Sequence, residues 1–462
     1  MNSWWMAYLP ETVREWLDGR LQFQRAIGNT GWLFLDRIAR MVIGLTVGAW
    51  VARHLGPTQF GELAYVLSFI AFFQMTSDLQ AEGFVLRDLS RETVPAGLVL
   101  GTAMRLRLVT SVGSWLCVIA AMALFHPEEP RLILLAAVVG AMLVFQTTDL
   151  IDCWFQSQSQ SKRTVKVKLY SYLVANGIKV ILLLLKAPLI AFAVVMAVEA
   201  AIFAAGLALV YRRFPTPEAW TPSLNEAKRL LGLSWPFLIS GLMMTAYLRI
   251  DQIMLRELLG EKELGIYAAA VPLSQVWNVI PTTLIASVSP FIARKKERSE
   301  TEYRQALVTV FRLFAVVSLA VALLTALAAP WAVELLYGVQ YRQTATVLSL
   351  LVFVVLFSFQ GMAQSMWVIN DDLRGVILAS TVVAAVVSVG SNALLIGKFG
   401  VVGAALSSIA GQATAVVLMP CLLRRDLREL YQAAFFGARL AAADGAAGAG
   451  GQAKRKEEDA PD

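Results

Sequence analysis

The chain has 462 residues, 57% hydrophobic and 16% charged, with a formal net charge of +7. A soluble domain carries roughly 25% charged residues, and one this long has too little polar surface to cover so many apolar side chains, which excludes a soluble fold. The excess of lysine and arginine lies in short loops between apolar runs, so membrane topology and anionic lipid explain it and nucleic acid does not.

Residues 1–28 hold Glu11, Arg14, Glu15, Asp18, Arg20 and Arg25 and no long apolar core before a small-residue cleavage site, so no removable signal peptide is expected. Val13, Trp16, Leu17 and Leu21 recur at helical spacing and fit a short amphipathic helix in the membrane interface. A poorly ordered leader is the competing reading. Beyond it, apolar runs of about 18 to 25 residues, the length that crosses ~30 Å of hydrocarbon, recur about twelve times. Their approximate extents are 30–52, 59–79, 105–125, 131–150, 168–186, 188–210, 233–256, 265–291, 306–329, 344–368, 374–396 and 400–422. The expected fold is all-α: a polytopic membrane protein with about twelve transmembrane helices.

Ionisable residues deep in a span cost roughly 2.5–3.5 kcal/mol each on insertion scales and usually face the protein interior. In the first span Asp36 and Arg40 are one helical turn apart and able to pair, with Arg37 beside them. In the fourth, Asp149 and Asp152 share a face near the cytoplasmic end, where hydration is enough to explain them. Lys179 and Glu199 fall near mid-depth in the fifth and sixth spans; a neutralised packing pair explains them better than a site does. Arg249 and Asp251 in the seventh lie on nearly opposite faces, so each needs a partner elsewhere. Pro236 opens that span, and Pro272, Pro281 and Pro290 punctuate the eighth, which suits either packed kinks or the bending helix of a gate. Arg312 is expected to snorkel. Cys117, Cys153 and Cys421 fall in or at the end of spans and form no disulfide framework. After Leu430 the small-residue and charged segment cannot bury a core and is expected to be disordered.

Shifting the sequence by 204 residues places Arg25 on Arg229, Gly28 on Gly232, Leu55 on Leu259, Gly56 on Gly260, Gly61 on Gly265 and Ala64 on Ala268. LGPTQFG and LGEKELG thus form equivalent outer turns. With six spans each, the halves are parallel repeats, and a substrate belongs in a central cavity between them. The boundaries read as a leader 1–28, a first six-helix lobe 29–211, a linker 212–231, a second lobe 232–425 and a tail 426–462. A cytoplasmic amino terminus puts Arg87, Arg91, Lys162, Arg163, Lys166, Lys168, Arg212, Arg213 and Arg294 to Lys296 in inner loops, and leaves about one basic residue per outer loop. Both termini are therefore expected inside.

Arg37, Arg40 and Arg249 come from both halves and are the candidate substrate-binding residues, because guanidinium forks suit phosphate oxygens. Asp36, Asp251, Lys179 and Glu199 are the candidates for ion coupling or charge balance. His54 and His126, the only histidines, have no second metal ligand nearby, and no glycine-rich phosphate loop follows a strand. No catalytic residue, metal or cofactor is expected, and the protein is read as a non-enzyme. A membrane-embedded glycan polymerase or transferase would display catalytic acids on a sizeable outer loop, which this chain lacks.

DRIARMVIGLTVGAWVARHLGPTQFGELAYVLSF, DLIDCWFQSQSQSKRT, YLRIDQIMLRELLGEKELGIYAAAVPLSQVWNVIP and LLYGVQYRQTATVLSLL resemble, in that order, segments of the polysaccharide-transporter branch of the multidrug/oligosaccharidyl-lipid/polysaccharide exporter superfamily. The resemblance covers about residues 25–425 and is specific for the branch, not for a glycan. It implies a bacterial inner-membrane flippase for O-antigen or exopolysaccharide precursors. Such a protein moves an undecaprenyl-diphosphate-linked oligosaccharide outward by alternating access around a cationic cavity, with the lipid bilayer and polysaccharide polymerase machinery as partners. Arg249 would then hold an anionic head group while Asp251 balances charge or carries a coupling ion. Outward movement of an anion from a negative interior is downhill by about 2.3 kcal/mol per charge per 100 mV, so coupling is allowed and not required. The alternative is a multidrug or cation exporter of the same superfamily.

Overall fold

The computed structural model describes residues 21–436 apart from 80, 93, 372 and 373, with side chains from residue 38 onward except 39, 286, 287, 290 and 368–374. All regular structure among the described residues is helical. The first half runs α1 (Leu21–Asp78), α2 (Glu82–Arg91), α3 (Ala96–Phe125), α4 (Pro130–Gly140), α5 (Asp149–Ser157), α6 (Lys162–Leu184) and α7 (Leu189–Arg213). The second runs α8 (Leu224–Leu259), α9 (Glu261–Gln275), α10 (Val279–Arg298), α11 (Glu300–Tyr337), α12 (Arg342–Leu351), α13 (Val354–Asp371), α14 (Arg374–Phe399), α15 (Val401–Ala413) and a terminal α16 (Arg425–Phe436). The loops at 158–161, 214–223 and 299 mark a basic end, rich in lysine and arginine; the turns at Gly56, Gly260, Gly338 and Gly400 mark the far end.

Those far-end turns are built alike. Gly56 (φ 73°, ψ 168°), Gly260 (φ 92°, ψ 176°) and Gly338 (φ 83°, ψ 176°) each join two helical arms through a backbone region that is essentially glycine-only. The first two are the glycines that the repeat superimposes, so the sequence match reflects a shared turn geometry. Pro57 follows Gly56 at the start of the second arm of α1, where its missing N–H is harmless.

Nine helical stretches among the described residues are long and apolar enough to span a membrane, or ten if the pair Val339–Leu351 and Val354–Trp367, bent by 43°, is one span. The count falls below the expected twelve at three places. The first two spans are counted once although they are separate arms of α1 that meet at the Gly56 kink; the tenth span is that bent pair; and the eighth is divided into α9 and α10 by a 3-10 turn at Val276–Asn278.

The far-end core joins both halves, with Ala49, Ala52, Tyr65 and Val66 of α1 in one cluster with Leu255, Leu264, Tyr267 and Tyr341. A second core binds α10, α11, α13 and α16 around Tyr303, Phe311, Phe359, Leu427 and Tyr431. Exposed Val109, Leu124, Leu184, Leu327 and Leu422 ring the molecule, as lipid-facing positions should.

One expectation needs correction. Residues 426–436 are not a disordered tail: Leu427, Leu430 and Tyr431 are buried in α16, and 437–462 lie outside the described residues. Arg312 is exposed, and its guanidinium donates to the carbonyls of Ala434 at 2.8 Å and Ala433 at 2.5 Å, closing the orphan carbonyls at the end of α16. The interfacial helix read at 13–21 falls almost wholly outside the described residues.

Candidate functional site

Asp251 sits on α8 and is 4% exposed. The α8–α9 turn at Gly260 folds Tyr267 back beside it. One carboxylate oxygen accepts from the Tyr267 hydroxyl and from Ser408 Oγ of α15 at 2.8 Å; the other accepts from the Gln252 N–H at 2.7 Å. Tyr267 and Ser408 are themselves 2.9 Å apart. Among the described residues no arginine or lysine pairs directly with this carboxylate; its hydrogen bonds all come from neutral donors, and Arg249 acts on its charge only at a distance.

Beside it lies a cavity with about 40 Å³ of water-sized space, room for one or two waters or a small hydrated ion, since a water occupies roughly 30 Å³ of liquid. Asp251, Gln252, Ser274, Asn278, Ser358 and Gln412 supply its polar lining, all from the second half. Asn278 Oδ1 and Gln412 Oε1 are buried without a hydrogen-bond partner. Free carbonyl-type oxygens beside a buried carboxylate make an acceptor-rich pocket that suits a hard cation or a proton carried on water. The break at Val276–Asn278 delivers Asn278 here, so the divided eighth span has a structural use.

One helical turn toward the far end, the halves meet. Ser68 of α1 donates to Gln252 Oε1 at 2.8 Å, and Tyr65 donates to Glu257 Oε1 at 2.7 Å. Tyr65 has a single proton, so His126 Nε2, 2.8 Å away, is the donor in that bond, which leaves Nδ1 to accept from Arg256 Nη1 at 3.0 Å. Arg256 also reaches Glu129 at 2.5 Å, Glu261 at 3.4 Å and Glu257 at 3.5 Å, and it lies 4.8 Å from the centroid of the Tyr65 ring. Tyr65, His126 and Glu129 belong to the first half; Arg256, Glu257 and Glu261 belong to the second. The YGVQY segment adds to this seal: Tyr341 donates to the Ala52 carbonyl at 2.8 Å and Gln340 to the Arg53 carbonyl at 2.6 Å.

The sequence reading gives Arg256 no role and finds no second metal ligand near His126; their convergence depends on which hairpins touch, which no local pattern encodes. It also misses Arg107. That side chain is buried between Asp78 at 2.6 Å, Glu82 at 2.8 Å and Asp149 at 3.9 Å, so Asp149 is no merely hydrated interface residue. At the basic end Arg229 joins Asp88 and Glu226, each at 2.5 Å, tying α8 to α2.

Of the candidate residues, Lys179 and Glu199 pair at 3.2 Å across α6 and α7. The side chains of Asp36 and Arg37 lie outside the described residues. Arg40 is half-buried where α1 meets α6, and its carbonyl accepts from the Tyr172 hydroxyl at 2.7 Å. Arg249 is half-buried on α8, and neither it nor Arg40 lines the Asp251 cavity.

Residues 26–296, more than half of the chain, match the family described as polysaccharide biosynthesis protein. The chain belongs to that family. The matched stretch contains Asp251 and Tyr267 and the charged cluster around Arg256, whereas Tyr341 and Ser408 lie beyond it. No curated protein matches the chain. Among solved structures it is similar to an inward-facing multidrug resistance MATE transporter of the MOP superfamily, at 15% identity over 86% of this chain and 99% of that one, with a TM-score of 0.66. It is also similar to the lipid II flippase MurJ in an inward closed conformation, at 11% identity over 87% and 91%, with a TM-score of 0.63. A MOP superfamily transporter from Pyrococcus furiosus aligns at 16% identity over 86% and 96%, with a TM-score of 0.57. At these identities the likeness concerns the fold alone: this family member is a multi-pass, all-helical membrane protein with a fold similar to that of those transporters.

Proposed function

We propose that this protein is a flippase that carries a lipid-linked oligosaccharide, of the undecaprenyl-diphosphate class, across the bacterial inner membrane, with both termini cytoplasmic. The observation that carries the reading is the family match over residues 26–296, joined to a fold similar to that of a lipid II flippase. The far-end seal around Arg256 fits one state of an alternating-access cycle, closed on that side. Arg37, Arg40 and Arg249 serve the diphosphate, Asp36, Lys179 and Glu199 balance charge, and the glycan crosses between the halves. Asp251 takes up a proton or sodium ion, supported by its lack of a cationic partner and by the free acceptor oxygens beside it. Polysaccharide polymerase machinery is the downstream partner of such a step.

The same buried carboxylate favours a second reading, an exporter of organic cations with the MATE fold. Proteoliposomes decide between them. Translocation of an undecaprenyl-diphosphate oligosaccharide, without efflux of a cationic dye, supports the flippase; dye efflux without lipid translocation overturns it.

A further inference from the structure

We propose a binding site for an anionic phospholipid at the basic end of the first half, beneath the linker that joins the lobes. This site is separate from the Asp251 cavity and does not depend on the transported substrate.

The linker at 214–223 is strapped across the first turns of α3. The Ser223 N–H donates to Thr102 Oγ1 at 3.0 Å, and the Gly97 N–H donates to Glu218 Oε2 at 3.4 Å. Gly97 and Gly101 make room for it: a Cβ on Gly97 would overlap the Ala219 carbonyl, and one on Gly101 would come within 2.8 Å of Trp220 Cβ. Trp220 is thereby held at the rim, its indole N–H donating to the Tyr211 hydroxyl at 2.6 Å.

On either side of Trp220 the surface opens into two adjoining cavities of about 510 and 310 Å³, which share Met104, Thr148 and Trp220. Each falls in the ~300–1,000 Å³ range of ligand sites. The walls are apolar, with Ile151 and Ala208 in one cavity and Leu108 and Val144 in the other. Each cavity also carries one arginine, Arg212 in the first and Arg105 in the second. Both are exposed, and neither has an ion-pair partner among the described residues. The one carboxylate on the lining, Glu218, is turned to the Gly97 N–H.

Three features select the occupant. The apolar walls run from the linker into the spanning part of α3, which suits an acyl chain. Trp220 and Tyr211 mark the depth of a head-group boundary, where such side chains are enriched. Two guanidinium groups with no ion-pair partner complement a phosphate that bears net negative charge, and they give a zwitterionic head group less to gain.

The test uses the full-length protein in detergent, titrated with dioleoyl-phosphatidylglycerol or dioleoyl-phosphatidylcholine and read by native mass spectrometry. Phosphatidylglycerol should bind more tightly. Arg105→Gln combined with Arg212→Gln should weaken it roughly 30-fold, the equivalent of about 1 kcal/mol for each basic residue near a charged lipid surface, and leave phosphatidylcholine unchanged. Arg213→Gln, on the neighbouring exposed residue that lines neither cavity, should change nothing. Ala208→Phe should fill the crevice and reduce the binding of both lipids. Equal affinity for the two lipids, full phosphatidylglycerol binding in the double variant or in Ala208→Phe, or an equal loss in Arg213→Gln would each overturn the site.

Discussion

Gly61 and Gly265 face each other across the pseudo-symmetric contact between the halves. A Cβ on Gly61 would overlap the carbonyl of Glu261, and a Cβ on Gly265 would overlap the carbonyl of Pro57. Each glycine therefore receives the backbone of the other hairpin's first turn, and the two hairpins, related by the repeat, cross at their closest approach.

Gly61→Ala should be destabilising although alanine normally gains about 0.5–1 kcal/mol over glycine inside a helix. The obstacle is backbone, not a flexible side chain, so an overpacking cost of roughly 1–3 kcal/mol is expected. Gly48→Ala and Gly113→Ala, with nothing within 4 Å of the added methyl, are the controls. Thermal melts of the purified protein check this: a lowered Tm at Gly61 and unchanged or raised values at the controls. A Gly61→Ala protein as stable as the controls would show that the hairpins separate freely.

Arg256→Gln should loosen the far end. Its partners Glu129 and Glu257 are 40% and 45% exposed, so solvent screening keeps the cost to about 1 kcal/mol, part of it taken from contacts made only while the halves touch. With a cysteine placed at Ser68, beside Gln252, labelling by a membrane-impermeant thiol reagent added on the far side should rise in the Arg256→Gln background. Unchanged labelling would mean that the seal rests on apolar packing and not on Arg256.

Helix content and the two-half organisation were legible because both are written locally, in apolar runs and in glycines at positions needing a positive φ. The repeat at Gly56 and Gly260, found from matched letters, is a matched backbone geometry. Span number was less legible, since a 3-10 break at Val276–Asn278 leaves no mark in hydropathy. Charged partnerships were legible only within a hairpin: Lys179 with Glu199 was readable, whereas Arg107 with Asp78 and Arg256 with Glu129 and His126 required knowing which helices pack. Asp251 was correctly seen to need a partner outside its helix, but the partners are Tyr267 and Ser408, polar residues with no distinctive pattern.

Arg107→Ala should destabilise the first half, because it leaves Asp78 and Asp149 without their guanidinium, while Glu82, 52% exposed, stays hydrated. A loss of about 3–5 kcal/mol is expected. Asp78→Asn in the same protein removes one of the stranded charges and should recover part of the folded yield, read by fluorescence-detected size-exclusion chromatography. If Arg107→Ala alone matches the wild type in yield and Tm, the three carboxylates are neutralised by protons or solvent and not by the guanidinium.

Asp251→Asn is the most informative change at the candidate site. The carboxylate accepts from the Tyr267 and Ser408 hydroxyls on one oxygen and from the Gln252 N–H on the other. Asparagine keeps one acceptor, and the two hydroxyls can rotate to accept from its amide, so the packing of α8, α9 and α15 should survive with a Tm near that of the wild type. Had Asp251 been balanced by an arginine, the same change would leave a buried cation unpaired and cost several kcal/mol; the absence of such a pair predicts a well-folded variant. Its effect should then fall on ion coupling. In proteoliposomes carrying a labelled lipid-linked oligosaccharide, the wild type should respond to an imposed sodium or proton gradient. The asparagine variant, which cannot gain or lose charge, should translocate at a rate independent of either gradient. Gln412→Leu, which removes an unpartnered acceptor from the same cavity, should shift the ion concentration needed for the response without abolishing it. A folded Asp251→Asn protein with an intact gradient response would remove ion uptake from this residue and leave the cavity as packing around a neutral hydrogen-bonded acid.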